Sequence, residues 1–101
     1  MRLLVFFDLP TGTKVERRHY AVFRKYLIKD GFSMLQFSVY ERITRNHDDC
    51  AKYISMIESN KPPYGDVRCL QITEKQYENI KLIIGSNEGK SDYSDDDFIE
   101  I

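Results

Sequence analysis

The sequence predicts an α+β domain whose elements follow the order β-α-β-β-α-β. A continuous apolar run, RLLVFFDL, occupies residues 2–9. Two segments with helical periodicity follow it, and segments rich in aromatic and β-branched residues lie between and after them. The 101 residues suit a single domain, and every apolar run is shorter than the roughly 18 residues that a membrane span needs. We therefore expect one domain, a cytoplasmic location and no membrane partner.

The first strand and the first helix have clear boundaries in the sequence. The run at 2–9 is too short for a typical helix and precedes a Pro-Thr-Gly turn, so it predicts a central strand buried on both faces. Thr13 and Glu16 fit a capping box, and the helix that follows extends to Asp30 before Gly31 ends it. The apolar stripe predicted for this helix consists of Val15, His19, Val22, Phe23, Tyr26 and Leu27.

The rest of the chain predicts further strands and a second helix. Residues 32–43 are too many for one typical strand and indicate two short strands with a break near Gln36. Asn46 caps a second helix that ends at NKPPYG, and DVRCLQIT at 66–73 is the fourth strand. EKQYENI allows a helical turn, and KLIIG at 81–85 a fifth short strand. This order is the ferredoxin-like pattern.

Charge is distributed unevenly along the chain although the net charge is only −1. Residues 1–87 hold 14 Lys and Arg against 10 Asp and Glu, whereas residues 88–101 hold one lysine against six acids. We therefore divide the chain into a ferredoxin-like domain at 1–86 and an acidic tail at 87–101. The tail is a solvated end, an electrostatic shield over the basic body or, through FIEI at 98–101, a docking strand for a partner.

The outer face of the first helix is predicted to be strongly basic. At 100° per residue, four of its bases fall within about 60° of each other and two lie beside them; the six are Lys14, Arg17, Arg18, Arg24, Lys25 and Lys29. The one acid in this stretch is Glu16. A solvated helix face is the simpler interpretation, but the imbalance favours contacts to nucleic-acid phosphates without base readout. Further candidates for such contacts are Arg42, Arg45 and Arg68.

Asp8 is the one charged group at the exit of the first strand, and two interpretations of it stay open. A carboxylate before Leu-Pro-Thr-Gly ordinarily accepts backbone N–H groups of the turn. Alternatively, two copies facing each other across a two-fold axis would form an adequate magnesium site, where one would be a poor site. No second acid or histidine lies near Asp8 in the sequence to act as a general base. Cys50 and Cys69 lack CxxC spacing and indicate reduced thiols.

The sequence resembles a known family over about residues 2–85. The segments LLVFFDLPTGTKVERRHYAVFRKYLIKDGFSMLQFSVYERI and ITEKQYENIKLIIG are similar to the small CRISPR-associated adaptation proteins of the Cas-two family. The shared pattern is a strand ending in aromatic-Asp-Leu-Pro, a basic helix, Gly-Phe, Gln-Phe-Ser-Val-Tyr and Thr-Glu-Lys-Gln. The lengths of SMLQFSVY and of the Pro-Pro loop resemble members from type II systems most.

The resemblance implies a homodimer in which the late strand at 81–85 crosses to extend the neighbour's sheet, with an interface that includes Phe37, Leu82, Ile83 and Ile84. It implies a role in spacer acquisition, in which the dimer bridges copies of the CRISPR spacer integrase and holds duplex DNA. It also implies a metal-dependent endonuclease activity on DNA or RNA, with Asp8 as catalytic residue and as ligand of a Mg²⁺ shared across the dimer. The C-terminal region would dock on the integrase.

Two other functions fit the same predicted fold. One is a free-standing endoribonuclease that resembles the toxin families of this fold, and the other is a small-molecule-sensing regulatory module. The sequence argues against an RNA-recognition module, because no strand carries the ribonucleoprotein pattern of Lys/Arg-Gly-aromatic residues. It also lacks a glycine-rich phosphate loop, since Gly12 stands alone after the first strand.

Overall fold

The computed structural model describes residues 1–85. Four strands and three helices follow one another in the order β1 (Arg2–Asp8), α1 (Lys14–Lys29), β2 (Ser33–Gln36), β3 (Val39–Ile43), α2 (His47–Ser59), β4 (Asp66–Ile72) and α3 (Glu74–Glu78). The strands form one sheet in the order β2-β3-β1-β4, and all neighbouring strands are antiparallel. The predicted α+β, ferredoxin-like fold is therefore confirmed. Among these residues, no helix has the length and apolar character that crossing a membrane requires.

Strand β1 is central, as predicted, but only part of it is buried on both faces. Its alternating residues Leu3, Val5 and Phe7 lie in the core beneath the helices. On the opposite face Leu4 is buried, whereas Phe6 is 38% exposed and Asp8 is exposed. The prediction of two buried faces is therefore wrong for the end of the strand that carries Asp8.

Helix α3 and Arg2 cover half of the sheet face that lies opposite α1 and α2. The Arg2 guanidinium donates to Glu74 at 3.0 Å, lies 3.2 Å from an oxygen of the buried Glu41 and stands over the Tyr77 ring. Burial, together with a hydrogen bond to the Glu41 carboxylate, raises the pKa of Tyr77 to about 12. Because these contacts all lie at the Arg2 end of β1, they leave the Asp8 end of the sheet face open.

Helix α1 begins and ends as the sequence predicts, but its buried stripe differs. Thr13 and Glu16 form the capping box, and Gly31 has a φ of +93° just after the C-cap residue. Phe23 and Leu27 are buried, with Tyr20 and Tyr26 packed against the core.

Two of the residues predicted for the stripe are wrong as core positions. Val15 and Val22 are 58% and 61% exposed. The buried arc of the helix centres on Phe23 and Leu27, and both valines lie about 100° from that centre, at its margin.

The segment 32–43 divides into two strands at the predicted break. Phe32 and Tyr40 are core residues, and the β2–β3 register shifts between Met34 and Gln36. The turn that follows contains Ser38 with a φ of 64°, in the left-handed region that non-glycine residues rarely adopt. Two contacts hold this turn: the Phe7 N–H donates to the Ser38 carbonyl at 3.0 Å, and the Ser38 hydroxyl lies 2.9 Å from that of Tyr20.

The second half of the domain follows its predicted boundaries. The Asn46 side chain accepts from the Asp49 N–H to cap α2, and Cys50 and Ile57 bury its inner face. Both cysteines are free thiols, Cys50 buried and Cys69 half-buried.

The fifth strand predicted at 81–85 is absent from the single chain, where residues 81–82 have no regular structure and residues 83–85 form bends. Its exchange with a second copy stays a prediction. The predicted tail at 87–101, with its docking strand at 98–101, lies outside the described residues.

Candidate functional site

The six bases predicted on α1 are all exposed and share the outer side of the helix. No ion pair within residues 1–85 involves any of them. The acid among them, Glu16, accepts hydrogen bonds from the Gly12 and Thr13 N–H groups at 2.9 Å. Its charge is therefore engaged at the helix start, where it complements the helix dipole. The outer face of α1, defined by these six bases, is strongly positive.

Arg17 is the one member of the outer face of α1 with a described polar contact. Its guanidinium donates to the Thr11 carbonyl at 3.1 Å, within the loop that joins β1 to α1. A guanidinium carries five N–H donors, so most of its donors stay available to a ligand. Because α1 begins where β1 ends, the first turns of this basic face and Asp8 lie at the same end of the molecule.

Two of the three further arginine candidates are engaged elsewhere. Arg42 donates to the Asp30 carbonyl and to the Tyr53 hydroxyl, and its guanidinium stacks over the Tyr53 ring. It ties β3 to the end of α1, so its prediction as a nucleic-acid contact is not supported. Arg45 is 82% exposed but pairs with Asp49 at 3.5 Å. Arg68 alone of the three lies near Asp8.

Asp8 lines a shallow pocket at the uncovered end of the sheet. The pocket has a volume of about 200 Å³, and its lining includes Phe6, Asp8, Phe37, Asp66 and Arg68. Alternation along the strands places these β1 and β4 side chains on the face opposite the helices. No hydrogen bond of the described residues uses the Asp8 carboxylate, so the turn interpretation, in which it accepts backbone N–H groups, is not supported.

The acid that sequence reasoning did not find beside Asp8 is Asp66. The two residues are register partners at the junction of β1 and β4, so their Cβ atoms lie about 5 Å apart. Arg68 is the register partner of Phe6, and both lie two residues from the Asp8–Asp66 pair on the same face of the sheet. Strand alternation within VFFDL and DVRCL could have placed each side chain on a face, but only the pairing register brings them together.

The β2–β3 turn forms the other wall of the pocket. Phe37 is 66% exposed and stacks on Tyr20, with ring centroids 6.0 Å apart. Burial raises the pKa of Tyr20, whose hydroxyl contacts Ser38. These contacts fix an exposed aromatic ring beside the carboxylate of Asp8.

The residues predicted for a dimer interface are exposed in the single chain. Leu82, Ile83 and Ile84 are 45%, 85% and 90% exposed. These three consecutive side chains present apolar surface of a kind that often marks an interaction site, and Phe37, in the β2–β3 turn, is also exposed. Their part in a dimer stays a prediction.

The carboxylates at this site suit a hard cation that keeps several waters, which is the behaviour of Mg²⁺. Residues 1–85 contain no group of three or more His, Cys, Asp or Glu side chains that could surround a metal ion. Asp8 and Asp66 of one chain would therefore supply at most two ligands, and water or a second chain would have to supply the rest.

Comparison with known proteins assigns the family. The sequence profile of the family described as CRISPR associated protein Cas2 matches residues 1–80. The CRISPR-associated endoribonuclease Cas2 of Acidovorax ebreus is 49% identical over 85 residues, which are 84% of this chain and 83% of that protein. The protein of the same name from Treponema denticola is 50% identical over 97 residues, 96% of this chain and 94% of its own. The one from Lacticaseibacillus rhamnosus is 42% identical over 86 residues, 85% of each chain. The chain therefore belongs to the Cas2 family of CRISPR-associated proteins.

Proposed function

We propose that this chain is a homodimeric, DNA-backbone-binding subunit of CRISPR spacer acquisition that bridges copies of the spacer integrase. We further propose that it carries a Mg²⁺-dependent endonuclease activity at Asp8. The outer face of α1 is the observation that carries the first proposal. Family membership supports a CRISPR-associated role over a free-standing toxin or a small-molecule sensor. The type II origin stays a prediction.

The outer face of α1 suits a phosphate backbone better than any one small ligand. Its bases extend along a helix of 16 residues, which is roughly 24 Å long. Double-stranded DNA carries one negative charge per about 1.7 Å of its axis. A row of Lys and Arg side chains of this length therefore meets several phosphates. Contacts of this kind position the protein without reading sequence, which is what the capture of arbitrary spacers requires.

A dimer would complete both the binding surface and the metal site. The apolar segment at 82–84 is exposed and follows directly on α3, so it is free to pair with a sheet edge of a second copy. Strand β4 is the edge of the sheet beside the Asp8 site, and β2 is the opposite edge. A two-fold axis near this site would bring a second copy of Asp8 toward the first.

The chemistry of Asp8 in its pocket supports the proposed endonuclease activity. Hydrolysis adds water across a phosphodiester: the water oxygen bonds to phosphorus, one ester P–O bond breaks and the leaving oxygen takes a proton. Mg²⁺ would polarise a phosphate oxygen and offset the charge that develops during this reaction. Asp8 would hold the ion in this pocket, which is open to solvent.

RNA is a second candidate substrate. Relatives at 42–50% identity carry the name endoribonuclease. RNA and DNA are therefore to be compared in single-stranded and duplex form.

The test of both proposals compares wild type with Asp8→Ala. We would measure Mg²⁺-dependent cleavage of labelled RNA and DNA, dimerisation by sedimentation, and duplex binding at two salt concentrations. Asp48→Ala, an exposed acid in the first turn of α2, is the matched control. Retention of the spacer integrase from the same locus by the immobilised protein tests the bridging role.

Loss of cleavage in Asp8→Ala alone, with binding and dimerisation intact, would support the endonuclease. Equal cleavage by wild type and Asp8→Ala, or none by either, would refute it. Salt-insensitive or absent duplex binding by the wild type would refute the architectural role.

A further inference from the structure

Arg68 is a base at the Asp8 site that has no described partner. It lies on β4 opposite Phe6 and faces the same pocket as Asp8 and Asp66. Within residues 1–85 no hydrogen bond, ion pair or ring contact engages its guanidinium, and the residue is exposed. This contrasts with Arg2 and Arg42, whose guanidinium groups each bind an acceptor and stack on a tyrosine ring.

The distances within the strand pair fit one small anion between these groups. Asp66 and Arg68 are two residues apart on one strand, so their side chains emerge on the same face about 7 Å apart. Arg68 is also the diagonal cross-strand neighbour of Asp8, a separation that a long side chain can span. A phosphate group would therefore reach the guanidinium on one side and a cation at the carboxylates on the other.

We infer that Arg68 binds the phosphate group whose ester bond is cut at Asp8; this inference rests on the proposed endonuclease activity. Two neighbouring carboxylates repel a phosphodiester, and a single Mg²⁺ only offsets their charge. The planar guanidinium matches two non-bridging phosphate oxygens with a pair of parallel hydrogen bonds. Arg68 is thus a catalytic residue that touches the substrate, distinct from the backbone contacts on the outer face of α1.

A simpler role for Arg68 is that of a counter-ion for Asp8 and Asp66. The two roles predict different effects when Arg68 is removed. A counter-ion competes with Mg²⁺ for the carboxylates, so its removal would lower the Mg²⁺ concentration needed for half-maximal cleavage and leave nucleic-acid binding unchanged. A phosphate-binding residue has the opposite signature. Its removal would lower the rate at saturating Mg²⁺ and weaken binding of the substrate.

The experiment compares Arg68→Ala and Arg68→Lys with wild type, Asp8→Ala and Lys75→Ala. Lys75 is a control because it is an exposed base in α3, which follows the end of β4 that pairs with Arg2 and so lies away from Asp8. We would measure cleavage against substrate and against Mg²⁺. We would also measure binding of the same labelled strand in Ca²⁺ without Mg²⁺, as a function of salt.

We expect Arg68→Ala to lower kcat/KM at saturating Mg²⁺ at least tenfold, with Arg68→Lys recovering part of the loss and Lys75→Ala within twofold of wild type. The slope of log affinity against log salt would become shallower by about 1 per subunit for Arg68→Ala.

Cleavage by Arg68→Ala within twofold of wild type, or a lower Mg²⁺ requirement with an unchanged binding slope, would overturn the inference while the activity of Asp8 stands. An inactive wild type would overturn the proposed endonuclease and this inference with it.

Discussion

Removal of charge from the outer face of α1 is the sharpest test of the proposed nucleic-acid binding. Arg18, Lys25 and Lys29 lie within about 40° of one another around the helix axis, and all three are exposed. Their replacement by glutamine keeps the helix propensity and removes three charges. Because none of them forms a described ion pair, the fold should not change.

The magnitude follows from counterion release. Each phosphate that a protein neutralises contributes about −0.9 to the slope of log affinity against log salt on duplex DNA. The triple variant should therefore flatten the slope by about 3 if one subunit faces the duplex and by about 5 if both do. At low salt its affinity should fall uniformly across unrelated sequences, because backbone contacts carry no sequence information.

The assay is fluorescence anisotropy with labelled duplexes of two unrelated sequences, at salt concentrations from about 50 to 200 mM. A control variant changes three exposed lysines outside α1 to glutamine, at Lys52, Lys61 and Lys75. An unchanged slope for the α1 variant, or an equal flattening for the control, would show that the outer face of α1 does not contact the duplex. Far-UV circular dichroism of each variant excludes unfolding as the cause.

Three further predictions concern stability and assembly. Arg2→Ala removes the guanidinium that lies 3.2 Å from the buried Glu41 carboxylate and should lower the free energy of unfolding by about 3 kcal/mol in urea titrations. Changing both residues to leucine should recover most of this loss, and a loss below about 0.5 kcal/mol for Arg2→Ala would contradict the prediction. The Arg45 N–H, above all, lowers the pKa of Asp49, so this carboxylate stabilises the fold above the ordinary Asp pKa of about 4 and ceases to do so as pH falls through its lowered value. Asp49→Asn should accordingly be less stable than wild type at pH 7 and nearly equal to it once the pH is below that lowered pKa, and a difference independent of pH would refute the assignment. Changing Ile83 and Ile84 to aspartate should abolish dimerisation in sedimentation without lowering the melting temperature of the monomer, because both side chains are exposed in the single chain; a dimer that persists would place the interface elsewhere.

The sequence by itself determined those features that depend on neighbours along the chain. The capping box at Thr13, the Asn46 cap and the end of α1 at Gly31 are all local interactions, and helix boundaries follow from them. The basic outer face of α1 is likewise a consequence of helical periodicity alone. Because such signals involve residues within four positions of one another, they can be recognised in the sequence without knowledge of the fold.

The tertiary structure alone decided which distant residues meet. The antiparallel register of β1 and β4 places Asp66 and Arg68 beside Asp8, although no local pattern links these segments. Packing of β3 against α1 and α2 engages Arg42 in hydrogen bonds. The sequence had predicted Arg42 and Arg68 alike as nucleic-acid contacts. The same packing sets the buried arc of α1 and so exposes Val15 and Val22. Each outcome depends on which surfaces cover one another, since burial, charge pairing and strand register are properties of contacts between segments far apart in the chain.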